Sequence, residues 1–73
     1  MSGGDEMLLT MKAARVNKGY TQKEAGEAIG VTRDTVSNWE RGRSFPNVNQ
    51  LKRIENVYGV SYKELIFLQK NNA

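Results

Sequence analysis

An all-α fold of five short helices is predicted by three features of this chain. Polar caps followed three residues later by Glu or Gln stand at Thr21, Asn47 and Ser61, glycines follow the apolar runs at Gly19, Gly30, Gly42 and Gly59, and the apolar residues between them recur at helical spacing. The chain also lacks both Cys and His. With 73 residues and no side chains for a disulfide or a usual zinc, haem or iron-sulfur site, one small core of packed helices must stabilise the fold. Local signals that agree at this density are what a well-specified helical domain requires.

The first six residues, Met-Ser-Gly-Gly-Asp-Glu, carry no apolar period and are expected to form a disordered leader, in part a cloning remnant. The folded domain is placed at 7–69, with 70–73 as a tail. From about Leu8 to Lys18, Leu8, Met11 and Ala14 or Arg15 recur at helical spacing, and Gly19 supplies the stop. A second helix opens at the Thr21/Glu24 capping box, turns Ala25, Ala28 and Ile29 inward, and ends at Gly30.

Thr32 caps the third helix, which runs from about Arg33 to Arg41. Val31 and Val36 flank that cap at the spacing of a hydrophobic staple, while Val36 and Trp39, three apart, face inward. Arg43-Ser44-Phe45-Pro46 reads as an irregular connection, because proline disfavours helix in the residue before it. Asn47 and Gln50 open a fourth helix that sets Leu51, Ile54, Val57 and Tyr58 on one face. Val60, Ser61, Glu64 and Leu65 repeat staple and capping box, and predict a fifth helix through about Leu68.

A net charge of +3 and an isoelectric point near 9.5 permit nucleic-acid binding without demonstrating it. The distribution is more informative. Five basic residues between Arg33 and Arg53 face only Asp34 and Glu40, whereas the acidic Asp5 and Glu6 lie at the N-terminus. The longest apolar stretches, Met7–Leu9 and Leu65–Leu68, are too short to span a bilayer or to form a signal-peptide core, so a cytoplasmic location without membrane contact is expected. The inventory also argues against an enzyme: no His or Cys, no recognisable carboxylate pair, no phosphate-cradling glycine loop. No cofactor, metal or small-molecule ligand is implied.

The pattern Gln22-x-Glu24-x-Gly26-x-x-x-Gly30-Val31-Thr32-x-x-x-Val36-x-x-Trp39-Glu40-x-Gly42 resembles the helix-turn-helix of the lambda-repressor and Cro-like (XRE-type) family. Arg15 upstream and Leu51, Ile54, Tyr58-Gly59-Val60-Ser61 and Leu65 downstream extend the similarity over roughly Leu8 to Leu68. Where helices 2 and 3 cross, the Gly26 position needs a small side chain. Alanine is the family's usual choice, and glycine costs about 1 kcal/mol of helix propensity relative to it.

The resemblance implies sequence-specific binding of double-stranded DNA by a small prokaryotic or phage transcriptional regulator of repressor type. It places Arg33, Asp34, Thr35 and Asn38 toward base edges. Arg33 can donate twice to guanine and Asn38 can pair with adenine; Asp34 can accept from cytosine, or simply favour the helix dipole. Thr21, Gln22, Thr32, Ser37, Arg41, Arg43 and Ser44 are the phosphate candidates, although Thr21 and Thr32 are explained equally as helix caps.

Arg15 and Glu40 are implied to form a partly buried ion pair, which removes both from the DNA contacts. A domain this small is expected to dimerise on a palindromic operator. Ile66 and Phe67 are candidate dimer contacts, with packing on helix 1 or cover for a further domain as alternatives. The rival reading is an antitoxin-like or adaptor module that binds protein through the same fold. Large apolar anchors on the exposed face of helix 3 would favour it, and Arg33, Thr35, Ser37 and Asn38 are short polar or basic groups instead.

Overall fold

The computed structural model describes residues 8–66, within which four α-helices and a two-stranded parallel sheet enclose one core. The helices are α1 (Met11–Lys18), α2 (Gln22–Ile29), α3 (Arg33–Glu40) and α4 (Val48–Tyr58); the strands are β1 (Leu9–Thr10) and β2 (Leu65–Ile66). Leu9 pairs with Leu65 and Thr10 with Ile66. The proposed leader 1–6 and tail 70–73 lie outside the described residues, as does Phe67.

Each helix begins at an extended residue whose side chain accepts a backbone amide three positions on. The acceptors are Thr10 for Ala13, Thr21 for Glu24, Thr32 for Thr35 and Asn47 for Gln50, at 2.8–3.1 Å. These bonds satisfy amides that the first helical turn cannot pair internally. In α2 and α4 the reciprocal half is present too, with Glu24 accepting the Thr21 amide at 2.9 Å and Gln50 the Asn47 amide at 2.8 Å. Eight-residue helices are marginal alone, so such caps and the shared core must act together.

The core joins Met11 and Ala14 of α1, Ala25 and Ile29 of α2, Trp39 of α3, Ile54 and Tyr58 of α4, and Leu65 of β2. Val36 of α3 is also fully buried. Burying a side chain the size of Ile29 or Ile54 stabilises by about 1.5–3 kcal/mol. Tyr58 is 3% exposed, and its hydroxyl has no hydrogen-bond partner among the described residues. Burial, and then the Glu40 charge, push its phenol up to about 12.

The fifth helix is replaced by one 3-10 turn, Tyr62–Glu64, followed by β2. The Ser61 amide does donate to Glu64 at 2.7 Å, but Leu65 is extended, at φ −93° and ψ 135°. A capped turn meets only local demands. Continuing it as a helix would wind four consecutive apolar residues around a helix with one inner face, whereas strand alternation buries Leu65 at 8% exposure and turns Ile66 outward at 40%. Pairing with Leu9 then satisfies the backbone.

Two further corrections concern faces. Leu8 is exposed and precedes β1, so the first helix starts at Met11 behind a Thr10 cap. In α2 the buried residues are Ala25, Gly26 and Ile29, while Ala28 is exposed. Gly26, and not Ala28, completes the inner face, and there α2 lies closer to the following turn than an alanine allows. A Cβ at Gly26 would stand 2.7 Å from the Val31 carbonyl oxygen and 3.1 Å from the Thr32 carbonyl carbon. Its own carbonyl accepts the amides of both Gly30 and Val31, at 2.7 and 2.8 Å. In this structure the glycine thus fits an approach between α2 and the turn into α3 that leaves no room for a Cβ, which offsets its cost in helix propensity.

Candidate nucleic-acid interface

The sequence of α3 divides lengthwise. Val36, Trp39 and Glu40 are buried, Arg33 and Asp34 are exposed, and Thr35, Ser37 and Asn38 are half-buried between them. Arg33, Asp34, Ser37 and Asn38 form one wall of an open cleft of about 460 Å³. Gln22, the first residue of α2, and Arg41 and Arg43 beyond the end of α3 complete it. Three arginines against one aspartate give this cleft a positive field, and its short polar side chains leave room for a polyanion to approach.

Other candidates fall elsewhere. Thr32 and Arg33 line an adjacent groove with Lys23, Glu27 and Val31. Lys23 adds a cation to this groove that the helix-turn-helix pattern does not mark, its one sequence signal being its place beside Gln22 at the start of α2. Thr21 is exposed and committed to its cap. Thr35 is outside the cleft lining, and its hydroxyl lies 2.9 Å from that of Thr32, which extends the α3 cap. Ser44 is half-buried and also outside the lining. Ile66 is exposed at the sheet.

Behind the cleft lies a buried polar network. Arg15 Nε donates to Glu40 Oε2 at 2.7 Å and Arg15 Nη2 to Glu40 Oε1 at 3.1 Å, a two-pronged pair with side chains 9% and 5% exposed. Arg15 Nη1 donates to the Tyr20 carbonyl at 2.8 Å, and Gln22 Nε2 donates to Glu40 Oε1 at 3.1 Å. The hydrogen bonds to Glu40 raise the Arg15 pKa above its already high ordinary value, against the opposing effect of burial. One arginine therefore ties α1 to the turn before α2 and to the end of α3.

This geometry, two helices joined by a tight turn that packs on Gly26, the second presenting a polar face beside an arginine-bearing rim, defines a helix-turn-helix domain. The helix-turn-helix family model matches residues 11–65, and the chain belongs to this family in its lambda-repressor and Cro-like form. The chain is 39% identical over 56 residues to the HTH-type transcriptional regulator ImmR of Bacillus subtilis, covering 77% of this chain and 44% of that protein.

It is 34% identical over 56 residues to the HTH-type transcriptional activator BcrR of Enterococcus faecalis, covering 77% and 28%. A third relative is the cryptic phage CTXphi transcriptional repressor RstR of Vibrio cholerae, 29% identical over 58 residues, covering 80% and 52%. The chain thus spans less than half the length of ImmR and BcrR. No helix among the described residues is long and apolar enough to cross a membrane.

Proposed function

We propose that the domain binds double-stranded DNA sequence-specifically as a transcriptional regulator, laying α3 in the major groove with Arg33, Asp34 and Asn38 toward the bases. Gln22, Ser37, Arg41 and Arg43 meet phosphates along the rim, and Thr32 joins them from the neighbouring groove. The observation that carries this reading is the cleft in which α3 and the start of α2 converge around three arginines. Two copies on a palindromic operator complete the proposal, because one small domain contacts too few bases for selectivity in a genome. The names of RstR, a repressor, and BcrR, an activator, leave both signs of regulation open to a shared reading head.

The protein-binding alternative draws less support. The large exposed apolar residues among those described are Leu8, Val16, Phe45, Val48, Tyr62 and Ile66, none of them on α3. Selection from a random duplex pool at two salt concentrations tests the proposal, with enrichment of a palindrome as the expected result. On the selected duplex, Arg33→Ala should cost about 1–3 kcal/mol and relax one base position, whereas Arg43→Ala should weaken every sequence alike and flatten the salt dependence. Indifference of binding to both changes would refute it.

A further inference from the structure

Glu40 is buried 18 positions along the chain from Gln22, yet the two side chains are hydrogen-bonded at 3.1 Å. Chemistry fixes which end of the Gln22 amide faces the carboxylate, since only the nitrogen can donate and a carbonyl oxygen there would be repelled. The other amide N–H and the carbonyl oxygen are then left for the cleft that Gln22 lines. Arg15 compensates the carboxylate with two donors, so the negative group behind Gln22 is already neutralised when a phosphate approaches.

We propose that Glu40 is a positioning residue for DNA binding: held by Arg15, it orients the Gln22 amide so that its second N–H meets a backbone phosphate at the first turn of α2. This rests on the DNA-binding reading above and gives the buried pair a role beyond stability. Gln22 is a flexible side chain, and a fixed amide loses less rotamer freedom on binding than a free one. The same hydrogen bond ties the first turn of α2 to the last turn of α3, so the phosphate anchor and the reading helix keep one mutual orientation.

The test is a double-mutant cycle on the selected duplex. Replacing Arg15 and Glu40 together by methionine removes the carboxylate without stranding a charge, and such pairwise replacement commonly preserves folding. In the parent protein, Gln22→Ala should weaken binding roughly ten-fold. In the methionine background the same change should cost less than about two-fold, because the amide is no longer held. Arg43→Ala, which does not touch Glu40, should cost the same in both backgrounds.

An equal Gln22→Ala loss in the two backgrounds overturns the proposal, as does a parallel shrinkage of the Arg43→Ala effect, which would mark general loosening. A second measurement needs no variant and no DNA. In the free protein, one Gln22 side-chain amide proton should exchange with solvent more slowly than the other by NMR. Rapid exchange of both sinks the inference even if the methionine variant fails to fold, and failure of the parent to bind any duplex instead sinks the DNA-binding reading.

Discussion

The two edges of α3 are built from the same eight residues and obey opposite requirements. Along the inner edge, Val36, Trp39 and Glu40 are fixed by burial, by the Arg15 pair and by the Gln22 hydrogen bond from α2 to Glu40. Along the outer edge, Arg33 and Asp34 are exposed at the open cleft, where their chemistry can vary without disturbing the core. A family that keeps the first edge and changes the second can retain its fold while altering what it reads. If this division is correct, inner-edge substitutions should move stability first and outer-edge substitutions should move binding first.

The largest effect is expected at Glu40. Glu40→Ala leaves the Arg15 guanidinium buried without its carboxylate and should cost about 3–5 kcal/mol of stability. Since domains of this kind have only about 5–15 kcal/mol in total, the variant should be close to unfolding, as a urea titration followed through Trp39 fluorescence would read. A loss below about 1 kcal/mol would move Glu40 out of the scaffold.

Gly26→Ala comes next. Alanine gains about 1 kcal/mol of helix propensity, but its Cβ meets a backbone carbonyl that cannot rotate away. A net loss of about 1–3 kcal/mol is expected, since overpacking at a fixed crossing forces the backbone to shift. A rise in the urea midpoint would show that α2 and the following turn can separate without cost.

Thr32→Ala probes the boundary between the edges. It removes the acceptor for the Thr35 amide and the hydroxyl partner of Thr35, and should cost about 1 kcal/mol of thermal stability. Unchanged thermal stability with weakened DNA binding would reverse the assignment and make the threonine a contact before a cap.

How far each edge was legible in the sequence follows from the range of its signals. Caps and glycine stops act within a turn, which is why Thr21, Thr32, Asn47, Gly30 and Gly59 mark helix ends in both sequence and structure. The split of α3 followed from the spacing of Val36 and Trp39. The final segment misled because its local cap signal is real, whereas Leu65 is decided by a strand partner near the other end of the chain. The Thr10 cap is hidden for a related reason: the apolar period runs back through it to Leu8. Likewise, spacing cannot reveal that Gln22 bonds Glu40 or that Gly26 has no room for a methyl group.

Asp34 is where the outer edge can be sharpened most finely. It occupies the first turn of α3, where the helix dipole favours a negative charge, and it also lines a cleft shared with three arginines. As a dipole partner, Asp34→Asn should lower stability by about 0.3–1 kcal/mol. Removing one negative charge from the cleft should at the same time strengthen binding to all duplexes, with the selected sequence unchanged. Were Asp34 instead accepting from a cytosine amine, the asparagine variant would change its selected base at one position, because an amide can donate as well as accept. Repeating the duplex selection with Asp34→Asn therefore separates a residue that settles a helix end from one that reads sequence.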